Sequence, residues 1–401
     1  MITRRLCLRN LVESFRLGSS MSKKTDYIIF PFCAILQLGC RYNLAFQSSS
    51  SLPQAREQFV YSDDESADVD WDNLGFGLVP TDYMYIMKCA KEGNFEQGQL
   101  NRYGKVELSP SAGVLNYGQG LFEGIKACRK EDGRLLLFRP DQNAIRMKIG
   151  AERMCMPSPS VDQFVDAVKQ TVLANKRWVP PPGKGSLYVR PLLMGSGPVL
   201  GLAPSPEHTF LVYASPVCNY FKEGFAPLNL YVEDEFDRAS PGGTGGVKAI
   251  SNYAPVLKAQ IRAKNRGFSD VLYLDTVNKR YVEEVSCCNI FIVKGNMIAT
   301  PATNGTILAG VTRRSIIEIA GDHGYQVEER RVAVDELMDA DEVFCTGTAV
   351  GVASVGSITY HNTKVEFRTG AKTVSAELYS DLVGIQKGLS EDKKGWIVEI
   401  D

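Results

Sequence analysis

Residues 241–249 read PGGTGGVKA, a glycine-rich turn that ends on Lys248 and Ala249. The turn lacks the GxxxxGK(S/T) pattern of a phosphate-binding loop, because Val247 precedes the lysine and Ala249 follows it. A second stretch, GSGPVLG at 195–201, misses the GxGxxG dinucleotide fingerprint by one residue. Both nucleotide-binding folds are therefore disfavoured. Taken alone, Lys248 resembles an ordinary surface lysine, but its small apolar neighbours can desolvate the amine and make it a nucleophile.

Segments with the periodicity of strands and of helices alternate on both sides of this turn. Their mixed order favours α+β or mixed α/β domains over a simple parallel sheet. A chain of 401 residues is long enough for two domains, and we expect residues 216–224 to link them. Strands are predicted at 135–138, 186–197, 209–217, 228–233, 270–275, 289–295 and 342–349. Helices are predicted at 141–154, 161–178, 253–266 and 312–319.

The composition excludes several classes of protein. A net charge of −1 gives no sign of nucleic-acid or membrane binding. The ten cysteines contain no CxxC pair, and Cys287 and Cys288 are adjacent, so a zinc ribbon and a disulfide scaffold are poorly supported and no metal site is predicted. We expect His208, His323 and His361 to be surface or turn histidines. The absence of HExxH and GxSxG contexts argues against zinc proteolysis and Ser–His–Asp hydrolysis.

The N-terminal segment differs from the rest of the chain. Residues 1–58 are rich in arginine and serine and poor in acids, the composition of an organelle transit peptide, and 59–70 is predicted to be an acidic linker. The apolar run at 27–40 resembles the core of a secretory signal, but ten unpatterned cysteines fit a secreted protein poorly. We therefore expect import into plastids, with mitochondria as the alternative.

Several motifs occur in order from about Asp70 to the C-terminus and resemble the fold-type IV, pyridoxal phosphate-dependent branched-chain aminotransferases, the plant members above all. VDWDNLGFG and RWVPPPGKGSLYVRPLL are similar to the plant sequences almost letter for letter. The other motifs that carry the resemblance are NYGQGLFEGIKA (116–127), FRPDQNAIRMKIGAERM (138–154), VKAISNYAP (247–255), YVEEVSCCNIF (281–291), TILAGVTRRSI (306–316) and VFCTGTA (343–349).

The resemblance implies a two-domain enzyme: a smaller N-terminal α+β domain at 71–215, a larger barrel-like domain at 225–401, and pyridoxal 5′-phosphate between them. It implies a homodimer that transfers amino groups from leucine, isoleucine and valine to 2-oxoglutarate in a ping-pong cycle. Alternatives are another class IV activity, such as a D-amino-acid aminotransferase or aminodeoxychorismate lyase, a methionine chain-elongation aminotransferase, or a non-catalytic relative.

The resemblance also assigns the cofactor contacts. Lys248 matches the family's Schiff-base lysine, which would then carry a proton at the substrate Cα. Glu284 matches the carboxylate that pairs with the pyridine nitrogen, and strand alternation places the neighbouring Glu283 on the opposite, solvent-facing side. A guanidinium and a helix N-terminus both suit phosphate oxygens. The cofactor-binding residues implied by the resemblance are Arg146, Lys248, Tyr253, Glu284, Val311, Thr312 and Thr348.

The substrate contacts that the resemblance implies combine an apolar pocket with one polar edge. Arg190 with Tyr188 belongs to the group that accommodates the glutamate side chain, since both substrates share one pocket. Animal members carry a CxxC motif after the TGTA-like turn, whereas Cys345 here has no partner at that spacing, so thiol–disulfide regulation of that kind is not expected. The implied substrate-binding residues are Tyr117, Phe122, Tyr188, Arg190, Gly347, Thr348 and Ala349.

Overall fold

The computed structural model describes residues 66–90, 93–218, 220–221 and 226–400. The predicted transit peptide at 1–58 and most of the predicted linker at 59–70 lie outside these residues. Within the described part of the chain, no helix is long and apolar enough to cross a membrane.

The described chain contains strands and helices in mixed order, as the sequence pattern predicts. The strands are β1 (Tyr83–Ala90), β2 (Gln99–Arg102), β3 (Gly120–Phe122), β4 (Ile125–Arg129), β5 (Leu135–Phe138), β6 (Ser186–Gly195), β7 (Glu207–Val217), β8 (Leu228–Glu233), β9 (Asp270–Leu274), β10 (Val282–Val285), β11 (Asn289–Lys294), β12 (Met297–Pro301), β13 (Gln326–Arg330), β14 (Glu342–Gly347), β15 (Gly351–Tyr360), β16 (Thr363–Glu366) and β17 (Ile397–Ile400). The α-helices are α1 (Gly113–Tyr117), α2 (Pro140–Arg153), α3 (Val161–Ala174), α4 (Leu257–Asn265), α5 (Val311–Asp322), α6 (Val334–Met338) and α7 (Val374–Gln386).

The first sheet has the order β17-β5-β4-β6-β7-β1-β2, with β3 beside β6, and its strand pairs are antiparallel. Helices α2 and α3 contribute apolar residues to the core on this sheet. In α3, Ser160 and Gln163 form a capping box, and Phe164, Val168 and Val172 recur at helical spacing on the buried face. The C-terminal strand β17 joins this sheet although its sequence lies furthest along the chain.

The second sheet has the order β10-β9-β8-β15-β14-β11-β12-β13, with β16 beside β15. It is mixed, because β8 runs parallel to β9 and β15, and β12 runs parallel to β13, while the remaining pairs are antiparallel. Helices α5 and α7 pack against it through a cluster that includes Ile316 and Leu378. The mixed α/β prediction is confirmed; the division into domains at 71–215 and 225–401 stays a prediction.

One local prediction about the first sheet is wrong. His208 is not a surface or turn residue: it lies in β7, opposite Cys89 on β1 and Gly195 on β6, and only 1% of its surface is exposed. The strand begins before the apolar run that defined it in the sequence, and both of its neighbours cover it. Burial lowers the pKa of this imidazole and so favours its neutral form.

The glycine-rich turn is attached to the first sheet while the residues around it come from the second. The Phe122 amide donates a hydrogen bond of 3.2 Å to the Lys248 carbonyl oxygen, and Leu121 forms a bridge with Ala249. Strand β10, the start of α5 and the turn after β14 lie across from this attachment. The fold therefore brings Lys248 to a cavity bounded by elements of both sheets.

Candidate active site

A cavity of about 460 Å³ gathers nearly all of the residues that the sequence assigns to the site. Residues of β3, β6, β7 and α2 meet those of β10, α5 and the β14–β15 turn around it. The assigned residues that line this cavity are Phe122, Arg146, Tyr188, Arg190, Lys248, Tyr253, Glu284, Val311, Thr312, Gly347, Thr348 and Ala349.

Tyr117 is the assigned residue that does not line the cavity. It ends α1, is 39% exposed, and its hydroxyl donates a short hydrogen bond to the carbonyl oxygen of Leu200. Its assignment to the substrate pocket stays a prediction.

Lys248 faces the cavity with its amine among aromatic groups. The Nζ atom lies 3.1 Å from the Tyr253 hydroxyl oxygen and 4.5 Å from the centre of the Phe122 ring. Among the ion pairs of the described residues, none includes Lys248, although its charge does act on the Glu284 carboxyl. A partly buried amine held by one hydroxyl is placed to react with an electrophile or to exchange a proton.

Glu284 is a buried carboxyl group that lines the same cavity. Only 2% of its side chain is exposed, the Arg238 guanidinium lies 3.3 Å from Oε1, and the Leu308 amide donates a short hydrogen bond to the same oxygen. Burial raises the pKa of Glu284 to about 7, although Arg238 and the Leu308 amide partly oppose this shift. The group can therefore hold or release a proton near neutral pH.

The expectation that Glu283 faces solvent is wrong. Its exposed fraction is 6%, and burial raises its pKa. Strand alternation does send Glu283 and Glu284 to opposite faces, and only Glu284 lines the cavity. The second face is covered by the segment that contains Thr306, which contacts the Glu283 carboxyl. Alternation predicts the two directions but not what packs on each side.

Arg146 is held in place by a carboxylate that the sequence analysis did not assign. Its Nε and Nη2 donate hydrogen bonds of 2.8 and 2.6 Å to Glu123, which is fully buried, and its Nη1 donates a bond of 3.0 Å to the Ala309 carbonyl oxygen. A guanidinium has five N–H groups, so two remain for a ligand in the cavity.

The amino-terminal end of α5 opens into the same space. Val311 and Thr312 are its first two residues, and no side chain caps them. Unpaired N–H groups and the helix dipole make such an end favourable for an anion. Gly310 permits the close packing here, because a Cβ at this position would lie 2.2 Å from the Asn289 side-chain oxygen. Arg146 and this helix end line the same cavity, and their chemistry suits a multiply charged anion.

The side of the cavity that the resemblance assigns to the substrate is aromatic and carries one guanidinium. Arg190 lies over the Phe122 ring at 4.7 Å and over the Tyr188 ring at 5.2 Å. Its Nε is buried without a hydrogen-bond acceptor among the described residues, and none of their ion pairs includes it. Gly124 makes room for Tyr188, whose hydroxyl oxygen would lie 2.0 Å from a Cβ at this position. This wall can accept apolar groups and one carboxylate.

Several contributors to the site were not assigned from the sequence. Glu123 lies within the motif at 116–127 and Arg238 lies in a loop outside the quoted motifs, and their burial opposite Arg146 and Glu284 was the missing information. Lys126 donates a hydrogen bond of 3.1 Å to the Ala349 carbonyl oxygen and so holds the β14–β15 turn from behind. No group of three or more His, Cys, Asp or Glu side chains in the described chain could hold a metal ion.

Comparison with known proteins points to one family. The sequence model of the amino-transferase class IV family matches residues 120–358. The chain is similar to "Branched-chain amino acid aminotransferase 1, mitochondrial" of Humulus lupulus, at 69% identity over all of both chains. It is also 68% identical to "Branched-chain-amino-acid aminotransferase 2, chloroplastic" of Arabidopsis thaliana, over 91% of this chain and 94% of the relative. The crystal structure of the Escherichia coli branched-chain amino acid aminotransferase is similar over 80% of this chain and all of that one, with a TM-score of 0.70 and 26% identity.

Proposed function

This chain belongs to the amino-transferase class IV family, and on that premise we propose that it exchanges amino groups between leucine, isoleucine or valine and 2-oxoglutarate by means of pyridoxal 5′-phosphate. The observation that carries the proposal is the single cavity that joins the Lys248 amine, the buried Glu284 carboxyl and the amino-terminal end of α5. These are the groups that such chemistry needs for the aldehyde, the ring nitrogen and the phosphate of the cofactor.

The anion site supports the phosphate position. Arg146 has two N–H groups beyond those bound to Glu123 and Ala309, and Val311 and Thr312 present the free helix end. Thr348 lines the cavity and adds a hydroxyl group. We assign the phosphate to these residues. Glu123 has a positioning role, because it fixes the direction of the Arg146 fork.

The buried carboxyl group supports the ring position. When bound, pyridoxal phosphate supplies a ring that withdraws electrons from the substrate Cα after its proton has left. Glu284 would hold the proton on the ring nitrogen. Arg238 and the Leu308 amide favour the charged carboxylate that this task requires, against the burial that disfavours it. Without the ring nitrogen as a partner, burial favours the protonated form of Glu284.

Lys248 has two tasks in the proposal. Its amine would hold the cofactor through the aldehyde carbon. Once an amino acid has replaced it there, the free amine would move the proton between the substrate Cα and the cofactor C4′. Tyr253, at 3.1 Å, directs the Nζ atom and accepts one of its hydrogen bonds. The aromatic neighbours exclude water from the amine.

The two walls of the substrate pocket support the choice of substrates. Phe122 and Tyr188 supply the apolar surface that a branched side chain needs. Arg190 lacks a carboxylate partner within the described residues, and the second carboxylate of 2-oxoglutarate or glutamate would provide one. The main-chain N–H groups of residues 347–349 would bind the carboxylate that all the substrates share. A methylene group changes binding by about 1–3 kcal/mol in such a pocket, so all three branched amino acids should react.

The deciding assay is transfer from a panel of amino acids to 2-oxoglutarate by the full-length, cofactor-loaded protein. We expect leucine, isoleucine and valine to give the highest kcat/KM, with glutamate as the product. Highest activity with D-alanine would replace the proposal with a D-amino-acid aminotransferase, and release of pyruvate from aminodeoxychorismate would replace it with the lyase. A preference for methionine would indicate a chain-elongation aminotransferase.

We also propose a homodimer. Leu200 and Leu202 are 90% and 87% exposed, and the Tyr117 hydroxyl contacts the Leu200 carbonyl oxygen. Exposed apolar groups of this kind are favoured at contacts between subunits. Size-exclusion chromatography with light scattering should give twice the chain mass of 44.2 kDa. A monomer that is fully active would contradict this part of the proposal.

Residues 1–58 are proposed to direct import into plastids, with mitochondria as the alternative. Their composition supports import, and relatives carry names with both destinations. A fluorescent fusion to residues 1–60 separates the two organelles. Fluorescence that stays in the cytosol would contradict both.

A further inference from the structure

Two adjacent thiols stand in the wall of the cavity and have no part in the proposed function. Cys287 and Cys288 lie in the turn between β10 and β11, which is closed by a 3.0 Å hydrogen bond from the Val285 amide to the Cys288 carbonyl oxygen. Their sulfur atoms are 3.8 Å apart, and the Tyr220 hydroxyl oxygen lies 3.1 Å from the sulfur of Cys287. Both cysteines line the cavity, and Cys287 is only half-buried.

The geometry disfavours a disulfide between these two residues. Consecutive Cα atoms across a trans peptide are about 3.8 Å apart. Disulfides usually join Cα atoms about 4.4–6.8 Å apart, so a bridge between neighbours is strained. The pair is thus more stable as two thiols. A disulfide would also require the two sulfur atoms to move closer together. An atom that bridges them at their present separation would not require this movement.

A thiophilic cation with tetrahedral coordination holds two sulfur ligands at this separation. With Zn–S bonds of about 2.3 Å and tetrahedral angles, two sulfur ligands lie roughly 3.8 Å apart. That distance equals the separation of the Cys287 and Cys288 sulfur atoms. Thiolates also select soft cations over hard ones such as Mg²⁺.

We propose that Cys287 and Cys288 form a two-sulfur site for soft divalent cations such as Zn²⁺ and Cd²⁺, and that an occupied site blocks the cavity. Binding forms two metal–sulfur bonds, releases two thiol protons to solvent and displaces water from the cation, with no change of oxidation state. The described residues supply no cluster of three or more His, Cys, Asp or Glu ligands. Two waters, or one water and the Tyr220 oxygen, complete the four ligands, so binding is weaker than at a closed structural site and a chelator reverses it.

The position of the sulfurs explains the block. A Cβ placed on Gly347 would lie 3.6 Å from the Cys288 sulfur atom. Gly347 begins the turn that is assigned to the substrate carboxylate, and Cys287 lines the same cavity as Lys248. A cation with its remaining water therefore occupies space beside the carboxylate position. This inhibitory consequence rests on the proposed function, whereas the binding of the cation does not.

Cadmium titration of the full-length, cofactor-loaded protein tests the site with two independent readouts. One is the ultraviolet charge-transfer absorption of cadmium thiolate, and the other is transaminase activity relative to each protein's untreated rate. The variants are Cys287→Ser and Cys287→Ala, and the matched control is Cys155→Ser, at an exposed cysteine outside the cavity. The visible absorption of the bound cofactor verifies that each variant is folded.

We expect the Cys287 variants to lose one equivalent of bound Cd²⁺ and to need at least tenfold more Cd²⁺ for half inhibition, and EDTA to restore wild-type activity. The Cys155→Ser protein should keep wild-type sensitivity. Wild-type binding in both Cys287 variants would overturn the site. Loss of binding with unchanged inhibition would overturn the block. An assay without transaminase activity would leave the binding readout to decide the site and would count against the proposed function instead.

Discussion

The two walls of the cavity differ in whether their charged side chains are paired. On the wall assigned to the cofactor, Arg146 and Glu284 are each paired with a buried partner, Glu123 and Arg238. On the wall assigned to the substrate, the Arg190 guanidinium stacks on aromatic rings and has no ion-pair partner within the described chain. A ligand that stays bound is held best by groups that are fixed before it binds. Two alternating substrates instead need a charge that can pair with the second carboxylate of one substrate and stay unpaired with the other.

The ion pairs also make the two walls respond differently to mutation. Removing one member of a buried ion pair leaves the other charged and desolvated, at a cost of about 3–5 kcal/mol. Changes in the cofactor wall should therefore affect stability as well as activity. Changes in the substrate wall should affect mainly the choice of substrate.

Lys248 lies between the walls, and its removal should give the largest effect on activity. Lys248→Ala removes the proposed proton carrier, so kcat for leucine should fall by about 10²–10⁴-fold or more. Steady-state kinetics with added pyridoxal phosphate measure this. The control is Lys258→Ala, on α4, whose amine lies beside Phe236 and does not line the cavity. Equal rates in the two variants would show that the walls do not serve a lysine-dependent reaction.

Arg238→Met removes the ion-pair partner of Glu284 in the wall assigned to the cofactor. It should lower the free energy of unfolding of the cofactor-free protein by about 3–5 kcal/mol at pH 8, because Glu284 then stays buried without its counter-charge. Near pH 5 the loss should be smaller, since Glu284 is protonated there. Urea denaturation at both pH values gives the comparison. An equal loss from Arg190→Met at pH 8 would show that the walls do not differ.

The stability of the cofactor-free protein should depend on pH through Glu284. Its pKa is raised from 4.5 to about 7 in the folded protein. Folding thus favours the protonated form: the contribution is complete below about pH 4.5 and is lost as the pH rises through 7. The full change is about 3 kcal/mol. Glu284→Gln should remove this part of the pH dependence. The same dependence in wild type and variant would refute the assignment to Glu284.

Arg190→Met removes the guanidinium of the wall assigned to the substrate. It should raise KM for 2-oxoglutarate by roughly 10–150-fold, equivalent to about 1.5–3 kcal/mol for a hydrogen bond to a charged group. KM for leucine should change little, because leucine has no second carboxylate. Arg102→Met, at an exposed arginine of β2, is the control. Parallel increases for both substrates would show a structural role instead.

The sequence predicted the elements better than their surroundings. Motifs selected Lys248, Arg146 and Glu284, which line one cavity, and periodicity located seven of the seventeen strands of the described chain, because both signals are local. Glu283 and His208 were assigned to the surface, since the segments that bury them lie far away in the chain. Alternation and turn patterns carry no information about such coverage.

The partners of the assigned residues were missed for a related reason. Glu123 lies 23 positions before Arg146, and Arg238 lies in a loop without a motif of its own. A charged residue that is buried has the same letter as one that is exposed. Only the fold shows which charges face each other, and therefore why Arg146 and Glu284 are paired while Arg190 has no ion-pair partner within the described chain.

The most direct test of the account is to reduce the cofactor-loaded protein with borohydride and map the modified peptide. If Lys248 holds the cofactor, the protein is yellow and loses its visible absorption on reduction, with the cofactor fixed to the peptide that contains Lys248. Cofactor fixed to another lysine, or a protein that never takes up pyridoxal phosphate, would contradict it.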